Sequence, residues 1–216
     1  MFFRKKEKSY KENIDKISAD ENFTNLLFFN QILSKLEHFV FFGTLLGLVR
    51  EGKLIEGDDD IDIYVNMKHR NELIKILRDN HLDVDLNLSV NKNDSFLQVR
   101  REDNNKKFIC DFYFYEDDVD ENYIIEKWNF EGGTNDPSKH LRVPKIYIYP
   151  IEKKKFKSNL INIPSQPVYL CEFLYGKNWR SKLQKDTEYE IKLVDCKPIL
   201  FRIKKNFFGI KKYYSE

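Results

Sequence analysis

Residues 58 to 65 read DDDIDIYV, and the alternation of aspartate with isoleucine leaves this chain few ways to fold. In an extended strand successive side chains point to opposite faces. Asp58, Asp60 and Asp62 are therefore expected on one face, with Ile61, Ile63 and Val65 on the other, where burial against a core fixes the register. Carboxylates crowded on one face repel one another and raise each other's proton affinity unless something neutralises them. A hard divalent cation with oxygen ligands does so.

The stretch upstream supplies a complementary part. His38 to Phe42 (HFVFF) is an apolar, β-prone run, and Gly43-Thr44 follows where a strand gives way to the helix-like LLGLVR. Glycine lets a phosphate approach the backbone, and the amides of a following helix N-terminus donate to anions. Strand, Gly-Thr turn, short helix and Asp-bearing strand is an order suited to a diphosphate or triphosphate site.

A second acidic signal lies at Asp111. In KKFICDFYFY, Phe108, Cys110, Phe112 and Phe114 alternate with Ile109, Asp111, Tyr113 and Tyr115, so one carboxylate interrupts a hydrophobic and aromatic run. An unpaired buried aspartate is costly. It is accounted for if Asp111 completes a metal site beside the strand carrying Asp60. Ser95 to Arg101, the turn-rich EDNN and this segment together predict a β-hairpin.

At Gly43, Thr44, Leu45, Leu46, Gly47, Arg50, Gly52, Ile55, Asp58, Asp59, Asp60 and Asp62 the chain resembles the LicD and fukutin-related transferases of the nucleotidyltransferase-fold superfamily. The pattern runs in order without a gap, although Gly57 stands where an aromatic residue is common in that family. The resemblance spans about residues 22 to 180. It implies an α+β fold, a nucleotidyltransferase-like mixed β-sheet flanked by helices. It also implies Mg²⁺ or Mn²⁺ held by Asp60, Asp62 and Asp111 as the catalytic acids, with Asp58 as a supporting carboxylate. Gly43 and Thr44 are expected to contact phosphate. Arg50 offers a forked donor to a phosphate oxygen, with pairing to the Asp cluster as its rival role.

The activity so implied is transfer of a phosphorylated alcohol, such as phosphocholine, from a CDP-activated donor to a glycan or glycolipid acceptor, releasing CMP. The same acids would serve a nucleotidyltransferase that moves an NMP from an NTP to a protein, RNA or small molecule and releases pyrophosphate. A binding module without turnover is a third reading, disfavoured because a scaffold has no use for facing charges.

The length of 216 residues fits one ordinary domain with appendages. The expected division is a charged lead-in over 1–19, a catalytic domain over 20–180 and a basic, aromatic segment over 181–216. With 37 Lys and Arg against 35 Asp and Glu, bulk charge selects no partner class, and no nucleic acid is expected. Cys110, Cys171 and Cys196 are odd in number and widely spaced, so neither a zinc motif nor a disulfide framework is indicated. No run of about 18 apolar residues is present. A cytoplasmic chain is expected, with the lysines and aromatics after Pro198 able to touch an anionic membrane surface.

The remaining expectations are local. Leu26, Phe29, Leu33 and Leu36 have helical spacing, with His38 at the end of that helix in a structural role. MKHRNELIKILRDNHL predicts a second helix whose His69 and His81 are solvated, and Leu82 to Leu88 a strand. Asp117, Asp118, Asp120 and Glu121 read as a solvated turn, followed by a strand or short helix over 122–130. EGGTNDPSKH reads as a loop, either closing over substrate or simply connecting. Ile146, Ile148 and Ile151 around Tyr147 and Tyr149 predict a short edge strand. Pro167 to Gly176 is expected as a helix with Pro in its first turn and Gly as its stop.

Overall fold

The computed structural model describes residues 17–85, 96–118, 120–126 and 141–182, together with the backbone of 203–205 and 211–213. The lead-in up to residue 16, the loop expected over 131–140, Cys196 and most of the basic C-terminal segment lie outside the described residues, as do parts of the segments expected over 82–88 and 122–130.

A seven-stranded mixed sheet forms the centre. Its main path runs β1 (His38–Val40), β2 (Asp60–Asn66), β5 (Lys106–Asp117), β4 (Phe96–Asp103) and β3 (Asp83–Asp85). β6 (Tyr123–Glu126) pairs with the far end of β5, and β7 (Arg142–Pro144) pairs with β6. All described pairings in this sheet are antiparallel except β2 with β5, which are parallel. Helices α1 (Ala19–Ile32), α2 (Phe42–Glu51), α3 (Arg70–Asp79), α4 (Lys145–Ile148) and α5 (Pro167–Tyr175) flank it. β8 (Glu152–Phe156) and β9 (Asn159–Ile163) form a separate hairpin, as do the short β10 (Ile203–Lys205) and β11 (Lys211–Tyr213). The fold is α+β, a mixed sheet flanked by helices.

Local chemistry explains the boundaries. Ser18 caps α1 and Glu21 returns the bond to its backbone, so the first turn's free N–H groups are satisfied reciprocally. α1 ends at Ile32 rather than near Leu36; Leu33 and Leu36 are still buried, and His38 opens β1 instead of closing the helix. Asn104 and Asn105 both have positive φ, at 51° and 62°, which is what a two-residue hairpin turn requires between β4 and β5. In α5 Pro167 stands in the first turn and Gly176, at φ 77°, ends it.

Two expectations are corrected. Lys145 to Ile148 forms one short helical turn rather than an edge strand. The strand before it is Arg142–Pro144, and only Ile148 of that turn is buried, while Ile146 is 73% exposed. The acidic run that begins at the end of β5 is also not simply solvated. Asp118 pairs with Arg142, both side chains nearly buried, and Asp117 pairs with Lys145 at 2.5 Å.

The core holds the sheet against its helices. Phe29 of α1 packs edge-on to Phe112 of β5, and Phe41 stacks on Tyr64 at a centroid distance of 3.8 Å. Phe39, Tyr64 and Tyr115 continue this aromatic layer and are fully buried. Each such side chain removed from water contributes roughly 1.5–3 kcal/mol. Tyr64 and Tyr113 continue the strand faces that carry Asp62 and Asp111, so the layer forms a dry floor beside those two carboxylates.

Candidate active site

The parallel ladder places Asp62 of β2 directly opposite Asp111 of β5, with Asp60 opposite Ile109. Both Asp62 and Asp111 are 6% exposed. Ile61, Ile63 and Val65 are fully buried on the other face, as the alternation required. Tyr64 is buried too, so beyond Asp62 the strand is covered on both sides.

Asp58 and Asp59 precede the strand, which starts only at Asp60. The turn nonetheless gathers them: one carboxylate oxygen from each of Asp58, Asp59 and Asp60 lies within 4.8 Å of the others. All three are half-buried. Alternation alone puts Asp59 on the opposite face and gives it no role; the departure from extended geometry before Asp60 brings it back.

α2 closes the site from the other side. It starts at Phe42, one residue before the expected Gly-Thr turn, and Phe42 itself sits at φ 37°, a conformation costly for a residue with a side chain. Its ring is held edge-on against Phe41, Tyr64 and Tyr113. The bend points Gly43 and Thr44 at the carboxylates. The Thr44 N–H donates to Asp62 Oδ2 at 3.3 Å, and the Thr44 hydroxyl accepts from the Asp62 N–H at 2.8 Å. A β-carbon on Gly43 would stand 2.9 Å from Asp58 Oδ2 and 3.3 Å from Asp62 Oδ2. Glycine is needed here for close approach.

The electrostatics reflect this packing. Burial, then the charges of Asp60, Asp111 and Asp58, push the Asp62 carboxyl well above its ordinary range, against a smaller opposing pull from the Thr44 amide. Burial and Asp60 push Asp111 up to about 8, while the Gln98 amide, donating to Asp111 Oδ1 at 3.1 Å, and Arg100 act the other way. Gln98 is a contact that no motif pointed to. The chemistry of the donor set fits a hard divalent ion: acidic oxygens alone, crowded, with the proton affinities of Asp62 and Asp111 raised by burial and then by neighbouring carboxylates. Among the described residues, Asp58, Asp59 and Asp60 are the group whose oxygens lie close enough together to hold such an ion, with Asp62 and Asp111 facing each other across the parallel β2–β5 ladder.

Arg50 stands in the last turn of α2, and its guanidinium bonds Glu51 through Nε at 3.1 Å and Nη2 at 2.7 Å. Lys182 reaches the other Glu51 oxygen at 3.0 Å. Thus α2 presents Gly43 and Thr44 to the carboxylates at its start, and Arg50 to an ion network at its end. His38 is buried in β1, with Nδ1 2.8 Å from the Leu36 carbonyl, in a structural setting. Cys110 and Cys171 are buried and free. Among the described residues no helix is long and apolar enough to cross a membrane.

Among curated proteins, none matches the sequence significantly. Solved structures to which the chain is similar include a lincosamide antibiotic adenylyltransferase, LnuA, bound to lincomycin, at 18% identity and a TM-score of 0.49, covering 84% of this chain and 98% of that one. The antibiotic-resistance factor ANT(2'')-Ia in solution is similar at 15% identity and a TM-score of 0.46, over 81% of this chain and 84% of that one. The same factor in complex with adenylyl-2''-tobramycin gives 14% identity and a TM-score of 0.44, over 80% and 89%. Residues 35–166 match the family model described as LicD/FKTN/FKRP, nucleotidyltransferase domain, a stretch that contains Gly43, Thr44 and all five carboxylates. The chain belongs to the LicD/FKTN/FKRP family.

Proposed function

We propose that this protein is a metal-dependent phosphotransferase of the LicD type. It moves a phosphorylated alcohol, phosphocholine being one candidate, from a CDP-activated donor to a glycan or glycolipid acceptor and releases CMP. The observation that supports this best is the grouping of Asp58, Asp59 and Asp60, with Asp62 facing Asp111 across the parallel ladder and Gly43 packed against Asp58 and Asp62, inside the stretch that carries the family match.

Transfer of this kind depends on positioning and charge neutralisation more than on covalent chemistry by the protein. Asp60, Asp62 and Asp111 would hold Mg²⁺ or Mn²⁺ with Asp58 in support, and an ion held there would supply charge neutralisation at the donor's phosphates and a lowered pKa at an acceptor hydroxyl. Gly43 lets the donor approach the backbone, and the start of α2 favours its negative charge. Thr44 fixes Asp62 in place through both of its hydrogen bonds. Arg50 contributes at a phosphate oxygen in this scheme, exchanging Glu51 for substrate. The reaction takes place in the cytoplasm, with the basic segment over 181–216 as the contact to the membrane face.

The test is incubation with a panel of CDP-alcohols, Mg²⁺ or Mn²⁺ and candidate glycans, scored for CMP. Asp60→Asn, Asp62→Asn and Asp111→Asn are expected to lose nearly all turnover while remaining folded. Undiminished turnover in Asp62→Asn would overturn the assignment. The family model's description as a nucleotidyltransferase domain favours one rival, NMP transfer from an NTP. Pyrophosphate released from NTPs, with no CMP from any CDP-alcohol, would establish that rival instead.

A further inference from the structure

The carboxylates are held from behind by α1, a helix outside the stretch matched by the family model. Asn22 and Asn25 lie three positions apart on one face of α1, and both are buried. The Asn22 side-chain amide donates to the Asp60 carbonyl at 2.8 Å and to the Asp58 carbonyl at 3.3 Å. The Asn25 amide donates to the Ile109 carbonyl at 3.2 Å, and its oxygen accepts from Arg101 Nε at 3.2 Å. Asp60 and Ile109 are partners across the parallel β2–β5 ladder. Two asparagines of one helix face therefore grip both strands at the same rung, two residues before the Asp62–Asp111 rung.

Carbonyl oxygens only accept, so the Asn22 NH₂ must face them. Its two hydrogens supply one bond to each carbonyl and fix the turn that brings Asp58 and Asp59 beside Asp60. The Asn22 Oδ1 atom is buried with no hydrogen-bond partner among the described residues. An apolar residue would avoid that cost if packing were the only requirement at position 22. The helix is latched in register by further contacts: Glu21 pairs with Lys106 at the start of β5, and Arg101 lies over the Phe28 ring at 4.7 Å.

We propose that Asn22 and Asn25 are positioning residues, which hold the two carboxylate-bearing strands in the spacing a divalent cation requires. The inference rests on the metal-dependent reading of the carboxylate cluster. It makes α1 part of the site, although no atom of that helix is asked to touch cation or substrate.

Mn²⁺ titration of the metal-free full-length chain, followed by the electron paramagnetic resonance of free Mn²⁺ and by calorimetry, tests it. Asn22→Leu is expected to weaken Mn²⁺ binding about tenfold, the scale on which residues supporting metal ligands act. Asn25→Leu shifts it in the same direction. Asn22→Ser, a milder change that retains one donor, gives an intermediate loss and serves where the leucine variant does not fold. Asn30→Leu is the control: Asn30 bonds the Leu160 carbonyl from the same helix, so its loss lowers the melting temperature and leaves Mn²⁺ affinity unchanged. Asp62→Asn separates the two ideas. If it binds Mn²⁺ like wild type, or wild type binds none, the metal reading falls and this inference with it. If Asp62→Asn is impaired while folded Asn22 and Asn25 variants bind like wild type, only the positioning role falls.

Discussion

Thr44 and Asp62 exchange a reciprocal pair of hydrogen bonds across 18 residues of sequence, backbone amide to carboxylate in one direction and backbone amide to hydroxyl in the other. The pair joins the first turn of α2 to the middle of β2, and it defines one wall of the carboxylate cluster. Thr44→Val keeps the shape and removes the acceptor of a buried N–H. It is expected to cost about 1–3 kcal/mol of stability in a denaturant titration, with Thr44→Ser close to wild type.

Gly43 is tested by the smallest side chain. Gly43→Ala sets a methyl group 2.9 Å from an Asp58 oxygen and 3.3 Å from an Asp62 oxygen, so the carboxylates must shift. The expected outcome is a folded protein whose melting temperature rises much less on adding Mn²⁺ than that of wild type. An undiminished rise would mean that the cation does not engage Asp58 and Asp62.

Metal-free protein and metal complex should differ in pH response. Burial and Asp60 raise the Asp111 carboxyl to about 8 in the fold, against an ordinary value of 3.8. A group raised in this way contributes stability that is fully present below 3.8 and lost as pH rises through about 8. Chelator-treated protein is thus expected to lose melting temperature across that window, and Asp111→Asn to flatten the loss. Divalent cation binding competes with protons for the same oxygens, so its affinity rises with pH over this range. Calorimetry in buffers of different ionisation enthalpy reads the released protons.

His38 acts in the opposite sense. Burial lowers its proton affinity below the ordinary 6.5, so the fold takes up a proton there less readily than the unfolded chain. Its contribution is present above 6.5 and lost as pH falls through the lowered folded value. His38→Gln is expected to flatten the decline in melting temperature as pH falls below 6.5, leaving in place the loss with rising pH up to about 8 that is attributed to Asp111. An unchanged acid limb would remove His38 from that account.

The two chemically loaded strands are legible for different reasons. In β2 the alternation of Asp with Ile announces a buried face, and Ile61 and Ile63 occupy it. In β4 and β5, Asn104-Asn105 is a two-residue turn, and counting back from it sets Gln98 against Asp111, so that contact is present in the sequence although no motif marks it. α4 departs from expectation because five residues, mostly apolar or aromatic, between two prolines suit a strand or a helical turn equally well. The pairing of Asp118 with Arg142 could not be foreseen, since it joins groups 24 residues apart through the β6–β7 pairing.

By itself the sequence determined the family and the α+β class, and it marked Asp58, Asp60, Asp62 and Asp111 as carboxylates set against apolar faces, because period-two patterning and short turns are local properties of the chain. Only the tertiary structure decided that Asp62 and Asp111 occupy one rung, that Asp59 rejoins the cluster, and that Asn22 and Asn25 hold the rungs from behind. Parallel pairing joins segments separated by a long crossover. Its register is set by how α1 and the aromatic layer pack, which no stretch of adjacent residues encodes.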